Sequence, residues 1–189
     1  MKKPLLLIFI LFAGQGITLG QKEAINEAFL YLNKIRSNPS NYSKDVGVSM
    51  SGIKPRHALK WNDTLARVAQ AKAEDLAKNN YFDHVDQKGY GLNYYVVKAG
   101  YKLPEGWLDD PSANYVESLA AGPQNPKMGI IQLLNDNDEP VHSKAGHRVH
   151  LLGIDDFFSK GVDIGIGWAN DPDSEFTNYM VVVIARHNW

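Results

Sequence analysis

Seven consecutive apolar residues near the C-terminus, Tyr179 to Ala185, constrain the fold more than any other segment. A strand that is apolar at every position has no face to give to water, so both faces of its sheet must be covered. Just upstream, Val162, Ile164, Ile166 and Trp168 alternate with Asp163, Gly165 and Gly167, a second strand pattern. Asn170-Asp171-Pro172-Asp173 marks the turn between them. That connection is too short for a helical crossover, which needs about a dozen residues or more, so the two strands pair antiparallel.

The rest of the chain reads mostly as helix. Ala24, Ile25, Ala28, Phe29, Leu32 and Ile35 recur at helical spacing, and Asn38-Pro39 ends that helix. Asn62 can cap a second helix whose inner face is Leu65, Val68, Ala69, Lys72, Ala73 and Leu76, with Lys72 expected to snorkel to water. A third helix spans about Leu92 to Ala99 and stops at Gly100. A fourth starts at Pro126 and turns Met128, Ile131 and Leu134 inward. Trp61, Phe82, Trp168 and Tyr179 read as core aromatics. Helices first and strands last imply an α/β fold, an α/β/α sandwich around a central, mainly antiparallel sheet.

Residues 1–20 form a separate unit. Lys2-Lys3, the apolar run Leu5–Phe12 and the small residues before Gly20 read as a secretory signal peptide, leaving residues 21–189 as one domain. The apolar run is shorter than the ~20 residues of a spanning helix, so the protein is not expected to be integral to a membrane. It is expected to be secreted or periplasmic, and monomeric. Without residues 1–20 the balance is 18 basic against 21 acidic residues, with no basic patch, which argues against nucleic acid as a partner. There is no cysteine. Any metal site would therefore use His, Asp or Glu, and stability must come from the core rather than from disulfides.

Chemistry concentrates in four short segments: Tyr81-Phe82-Asp83-His84, Val116–Gly122 with Glu117, Asp138-Glu139, and Gly146-His147-Arg148. Imidazoles and carboxylates suit a divalent cation or a proton-transfer site. Each is costly to bury alone, so convergence would let them satisfy one another. Arg148 reads as structural, pairing with an acid behind the cleft. His57, His142, His150 and His187 read as surface or satisfied core residues. Ser143 has no nucleophile-elbow sequence around it.

The order of these motifs resembles the CAP superfamily. This group, also called SCP-like, comprises cysteine-rich secretory proteins, antigen 5 and pathogenesis-related proteins, and the resemblance is to its bacterial type. It rests on Asn33–Arg36 before Asn38-Pro39, Leu59–Asn62 leading into the alanine-rich helix, and Tyr81–His84. Ala99-Gly100-Tyr101, Glu117 with Ala120 and Gly122, Gly146–Arg148 and the Val162–Trp168 strand complete it. The resemblance implies a large central cleft in which His84, Glu117 and His147 are site residues. The second acid is Asp138 or Glu139, with Glu139 favoured. It also implies possible binding of zinc or another divalent cation through His84 and His147. The chain departs from the family in having Ser118 where relatives usually carry Asn, in lacking disulfides, and in lacking a tryptophan before Gly146.

Two functions remain open at this point. One is a secreted domain whose cleft binds a small molecule, lipid, peptide, glycan or cation. The other is a metal- or acid/base-dependent hydrolase in which Glu117 or Glu139 activates a water placed by His84 and His147. Catalytic residues are not assigned by the sequence.

Overall fold

The computed structural model describes residues 18–187. Its sheet has four strands, β1 (Lys60–Trp61), β2 (Glu117–Ala121), β3 (Asp163–Asn170) and β4 (Asn178–Ala185), in the order β1-β3-β4-β2. Strands β3 and β4 pair antiparallel, Asp163 opposite Ala185 and Asn170 opposite Asn178. Strand β2 pairs antiparallel with the other side of β4, and β1 runs parallel to β3. The fully apolar strand is therefore central, as its composition requires. The helices are α1 (Leu19–Ser37), α2 (Ser43–Val46), α3 (Asp63–Lys78), α4 (Leu92–Lys98), α5 (Pro126–Asn135) and α6 (Gly146–Leu152).

Alternation along the strands divides the core into two layers. Met180, Val182 and Ile184 of β4, with Ile164, Ile166 and Trp168 of β3, pack with Leu32 and Ile35 of α1, Leu134 of α5 and Leu151 of α6. Tyr179, Val181 and Val183 of β4 face the other way, onto Leu65, Ala69 and Leu76 of α3 and Val96 of α4. The glycines of β3 bring α3 close. A Cβ at Gly165 would lie 2.2 Å from the Ala66 nitrogen, and one at Gly167 2.2 Å from the Ala69 carbonyl carbon. The period-two pattern of β3 thus pairs an apolar face with a face left bare for a helix, not with a solvated face.

Several details differ from the sequence reading. Strands β1 and β2 carry no clear sequence signal, and Glu117 is the first residue of β2. In α5 the buried residues are Gly129, Ile130, Leu133 and Leu134, among others, while Met128 is 42% exposed, so the helix is rotated by about one residue from the expected face. Gly129 permits this, because a Cβ there would meet the Met180 side chain at 2.7 Å. Trp61 and Phe82 lie exposed, unlike buried Trp168 and Tyr179. Lys72 does not snorkel but stays buried in α3, held there by polar partners on the segment that follows the helix. Arg148 is fully buried but holds no acid. It donates to the carbonyls of Leu134 (2.5 Å), Asn135 (2.7 Å) and Glu139 (2.9 Å), satisfying the C-terminal end of α5. The expected leader lies outside the described residues except for Thr18–Gly20. There Thr18 caps α1 in a capping box with Gln21.

Candidate functional site

Helix α3 ends at Lys78 with Asn79 as its cap, and the chain then returns along it. Lys72 Nζ donates to Tyr81 Oη (3.1 Å) and to the His84 carbonyl (3.3 Å), and Tyr81 Oη donates to Asp75 (2.5 Å). These bonds fix the Tyr81–His84 segment on the helix and explain why Lys72 stays inside. Burial pulls the Lys72 pKa down, against the pull of Glu117, Asp75 and Asp86 upward.

His84 Nδ1 lies 2.7 Å from Glu117 Oε2. The His84 side chain is 45% exposed, whereas that of Glu117 is wholly buried. Burial pushes the Glu117 carboxyl up, and the His84 hydrogen bond and the Lys72 charge pull it back. The second oxygen, Oε1, is buried without a hydrogen-bond partner. The Asn114 amide also reaches His84 Nδ1, at 2.9 Å, and its other end is buried unpartnered. Nδ1 cannot both donate to Glu117 and accept from Asn114, so with its N–H on the carboxylate the Asn114 amide turns its oxygen toward the ring, and the lone pair is on His84 Nε2.

A second pair repeats the arrangement. His147 Nδ1 lies 2.8 Å from Asp136 Oδ1, and the His147 backbone N–H donates to Asp136 Oδ2 (3.0 Å). The His147 side chain is 37% exposed. Asp136 is the left-handed cap of α5 (φ 53°), the first of three such residues, with Asn137 and Asp138 following. Non-glycine residues resist this conformation. The Asn135 side chain holds the turn by bonding the Asp138 carboxylate and backbone N–H at 2.9 and 2.8 Å. The turn aims Asp136 back at His147. Asp138 is thus spent on the turn, and the Glu139 carboxylate accepts from the Val141 backbone N–H (2.8 Å). The acid on His147 is neither of the two the sequence suggested.

The pairs come from opposite layers, His84 from the α3 side and His147 from α6. Glu117 stands on β2, an outer strand, and α6, which carries His147, packs against the same strand. Val116 accepts from the Ile184 N–H (2.9 Å), and the Gly122 N–H donates to Asn178 (2.8 Å), so the even residues of β2 face β4. The backbone groups of Glu117, Leu119 and Ala121 therefore point off the sheet. His150 of α6 is near enough to both His147 and His84 for each to oppose its protonation. It is buried, with Nδ1 2.7 Å from Ser118 Oγ and Nε2 unpartnered. Burial pushes its pKa from 6.5 to about 3, so it is neutral. A serine–imidazole pair resembles a nucleophile and its base, but Ser118 is 1% exposed and substrate cannot reach it. His142 is structural, accepting from Arg148 and reaching the Ser51 carbonyl. His187 pairs with Asp163 (2.7 Å), which also accepts from Tyr101.

Sequence reasoning missed Asp136, Asn114 and the Ser118–His150 contact. The Asn135–Asp138 run was a visible signal, since Asn and Asp are the non-glycine residues that most readily turn left-handed. Among the described residues, no three His, Asp or Glu side chains gather closely enough to hold a metal ion. The donor set instead fits a cation only through the two outward Nε2 atoms, with carboxylates as outer partners and water completing the coordination.

A family model for "CAP: Cysteine-rich secretory protein family" matches residues 30–184. No curated protein matches the chain in sequence. Among solved structures, an outer surface protein of Borrelia burgdorferi is 20% identical with a TM-score of 0.55, covering 89% of this chain and 96% of its own. An extracellular protein of Bacillus anthracis containing an SCP domain is 20% identical with a TM-score of 0.57, covering 88% of this chain but only 41% of its own length. The venom allergen-like protein 4 of Schistosoma mansoni is 16% identical with a TM-score of 0.50, covering 91% of each chain. At these identities the likeness is one of fold.

Proposed function

This chain belongs to the CAP family of cysteine-rich secretory proteins, and from that premise we propose that it is a secreted binding domain. Its site is one cleft at the outer edge of β2, lined by the His84–Glu117 and His147–Asp136 pairs. The observation that carries the reading is the matched construction of the pairs. Each presents a partly exposed imidazole, held at Nδ1 by a much less exposed carboxylate and open at Nε2. A buried carboxylate with an unpartnered oxygen, as in Glu117, destabilises a fold, and it persists where a site needs it. The cleft takes a small uncharged or cationic ligand, with zinc or a similar cation as an optional, exchangeable occupant. Secretion agrees with the leader-like residues 1–20 and with the outer-surface and extracellular proteins among the neighbours. No helix among the described residues is long and apolar enough to cross a membrane.

The same geometry supports a hydrolase as the second reading, because a carboxylate-backed imidazole is a competent general base. In that case His84 takes the proton, since the Glu117 carboxylate cannot reach an incoming water. Binding is favoured because the only serine hydroxyl bonded to an imidazole among the described residues, Ser118, is sealed in the core.

The test is zinc titration by calorimetry, with imidazole NMR on the same samples. In the wild type the His84 and His147 signals should shift together as zinc is added. His84→Ala with His147→Ala should abolish uptake and keep the circular dichroism spectrum of the fold, with a lower melting temperature because Glu117 loses its hydrogen-bond partner. Equal zinc uptake by both proteins would remove the cation, and histidine signals that respond independently would remove the shared cleft.

A further inference from the structure

Next to Asn114, which bonds His84, the chain builds an aromatic platform whose central ring, Trp107, rests on the core and whose outer rings face solvent. Tyr115 is 46% exposed, Phe157 40% and Leu108 37%, and Trp107 lies half-buried between the two rings. Trp107 meets Tyr115 at 5.0 Å and Phe157 at 5.5 Å between ring centroids. The arrangement is held from beneath. Asn93 of α4 is 1% exposed, and its amide donates to the Trp107 carbonyl (3.3 Å) while accepting from the Tyr115 N–H (3.1 Å). A single buried side chain thus sets the spacing of two surface aromatics. Preorganisation of this kind lowers the ordering cost of binding.

The platform joins the cleft at both ends. Tyr115 follows Asn114, whose amide is on His84. Phe157 stands edge-on to Phe158 at 4.8 Å, and Phe158 packs on His150, three residues after His147 on α6, at 4.9 Å. One run of rings thus leads from Tyr115, next to the residue on His84, through Trp107, Phe157 and Phe158 to His150.

We propose that the cleft binds a neutral oligosaccharide, with a sugar face on Tyr115 and Phe157 and its hydroxyls donating to Nε2 of His84 and His147. This rests on the cleft reading above and names its ligand class. Sugar rings present apolar C–H faces and hydroxyl edges, the two surfaces this site can match. An acyl chain would need an enclosure, whereas these rings are open to solvent. An anionic ligand is disfavoured by Glu117 and Asp136 behind the imidazoles. The position is consistent with general pocket chemistry, an apolar wall with a few convergent polar groups.

The experiment titrates the full secreted protein with the tetramers of β-1,4-linked N-acetylglucosamine and of β-1,4-linked glucose, followed by calorimetry and tryptophan fluorescence. Wild type should bind at least one of them. Tyr115→Ala and Phe157→Ala, both at exposed positions, should each weaken binding about tenfold with unchanged melting curves. Phe82→Ala, at an exposed aromatic in contact with Phe176 rather than with these rings, should leave it unchanged. Failure of the wild type to bind either tetramer overturns the proposal, as does equal binding by Tyr115→Ala and Phe157→Ala. Sugar binding that survives His84→Ala with His147→Ala places the sugar outside the cleft and overturns it too. If the two histidines still respond jointly to zinc while both sugars are ignored, the cleft stands and only the ligand class falls.

Discussion

At the scale of single residues, the histidines show how burial decides chemistry. His84, His147 and His150 each have Nδ1 bonded to an oxygen, yet the first two are open at Nε2 and the third is sealed. His150 carries a measurable cost. Its pKa falls from 6.5 in the unfolded chain to about 3 in the fold, so between those values the unfolded state binds the extra proton. Stability is then complete above pH 6.5 and declines as pH falls toward 3, by about 2–3 kcal/mol at pH ~4.5. Urea unfolding at pH 7 and at the lower pH should show that decline, and His150→Gln should flatten it. An equal decline in both proteins would rule out His150 as its source. From the sequence, His84, Glu117 and His147 could be named as candidate site residues, because the order and spacing of the short motifs that hold them resemble those of a family. Asp136 was not named: the Asn135–Asp138 run signals a left-handed turn, but the fold decides which acid of that turn meets His147. His150 was unreadable for another reason: burial on a seven-residue helix depends on what packs over it.

At the scale of elements, glycine placement matters more than the apolar pattern suggests. The alternation that identified β3 is real, but the positions between its apolar residues serve contact with α3. Gly167→Ala would place a methyl 2.2 Å from the Ala69 backbone, which no rotamer change can relieve. The helix must shift away from the sheet, at a cost of about 3 kcal/mol. Gly146→Ala, where a Cβ would meet nothing within 4 Å, should change stability by less than about 0.5 kcal/mol. Denaturant midpoints of the two variants give the comparison, and similar midpoints would show that α3 is less tightly seated than its glycine contacts imply. The strands that escaped sequence analysis are informative in the same way. Strand β1 has two residues, too few for a period, and β2 reads Glu-Ser-Leu-Ala-Ala, a composition without strand propensity. Strand β2 forms because β4 offers it a free edge, a tertiary cause that local sequence does not carry.

For the whole molecule, the layered plan followed from one apolar strand that needed cover on both faces, and the two histidine pairs inherit that plan by arriving from different layers. The N-terminus tests how far the domain depends on what precedes it. If the leader is removed after Gly20, the mature chain starts at Gln21 and loses the Thr18 capping box. The first residue of α1 that enters the core is Ile25, so every inward residue of that helix survives the cut. Loss of a cap costs about 1 kcal/mol. In a domain of this size that lowers the melting temperature by roughly 2–4 °C without changing the fold. Intact mass of the secreted product should correspond to a start at Gln21, or to its cyclised form. Chains made to begin at Thr18 and at Gln21 should differ only by that small shift in melting. A secreted mass that includes Met1 to Gly20 would refute the cleavage. A collapse of the Gln21 chain would show instead that the first turn of α1 belongs to the core.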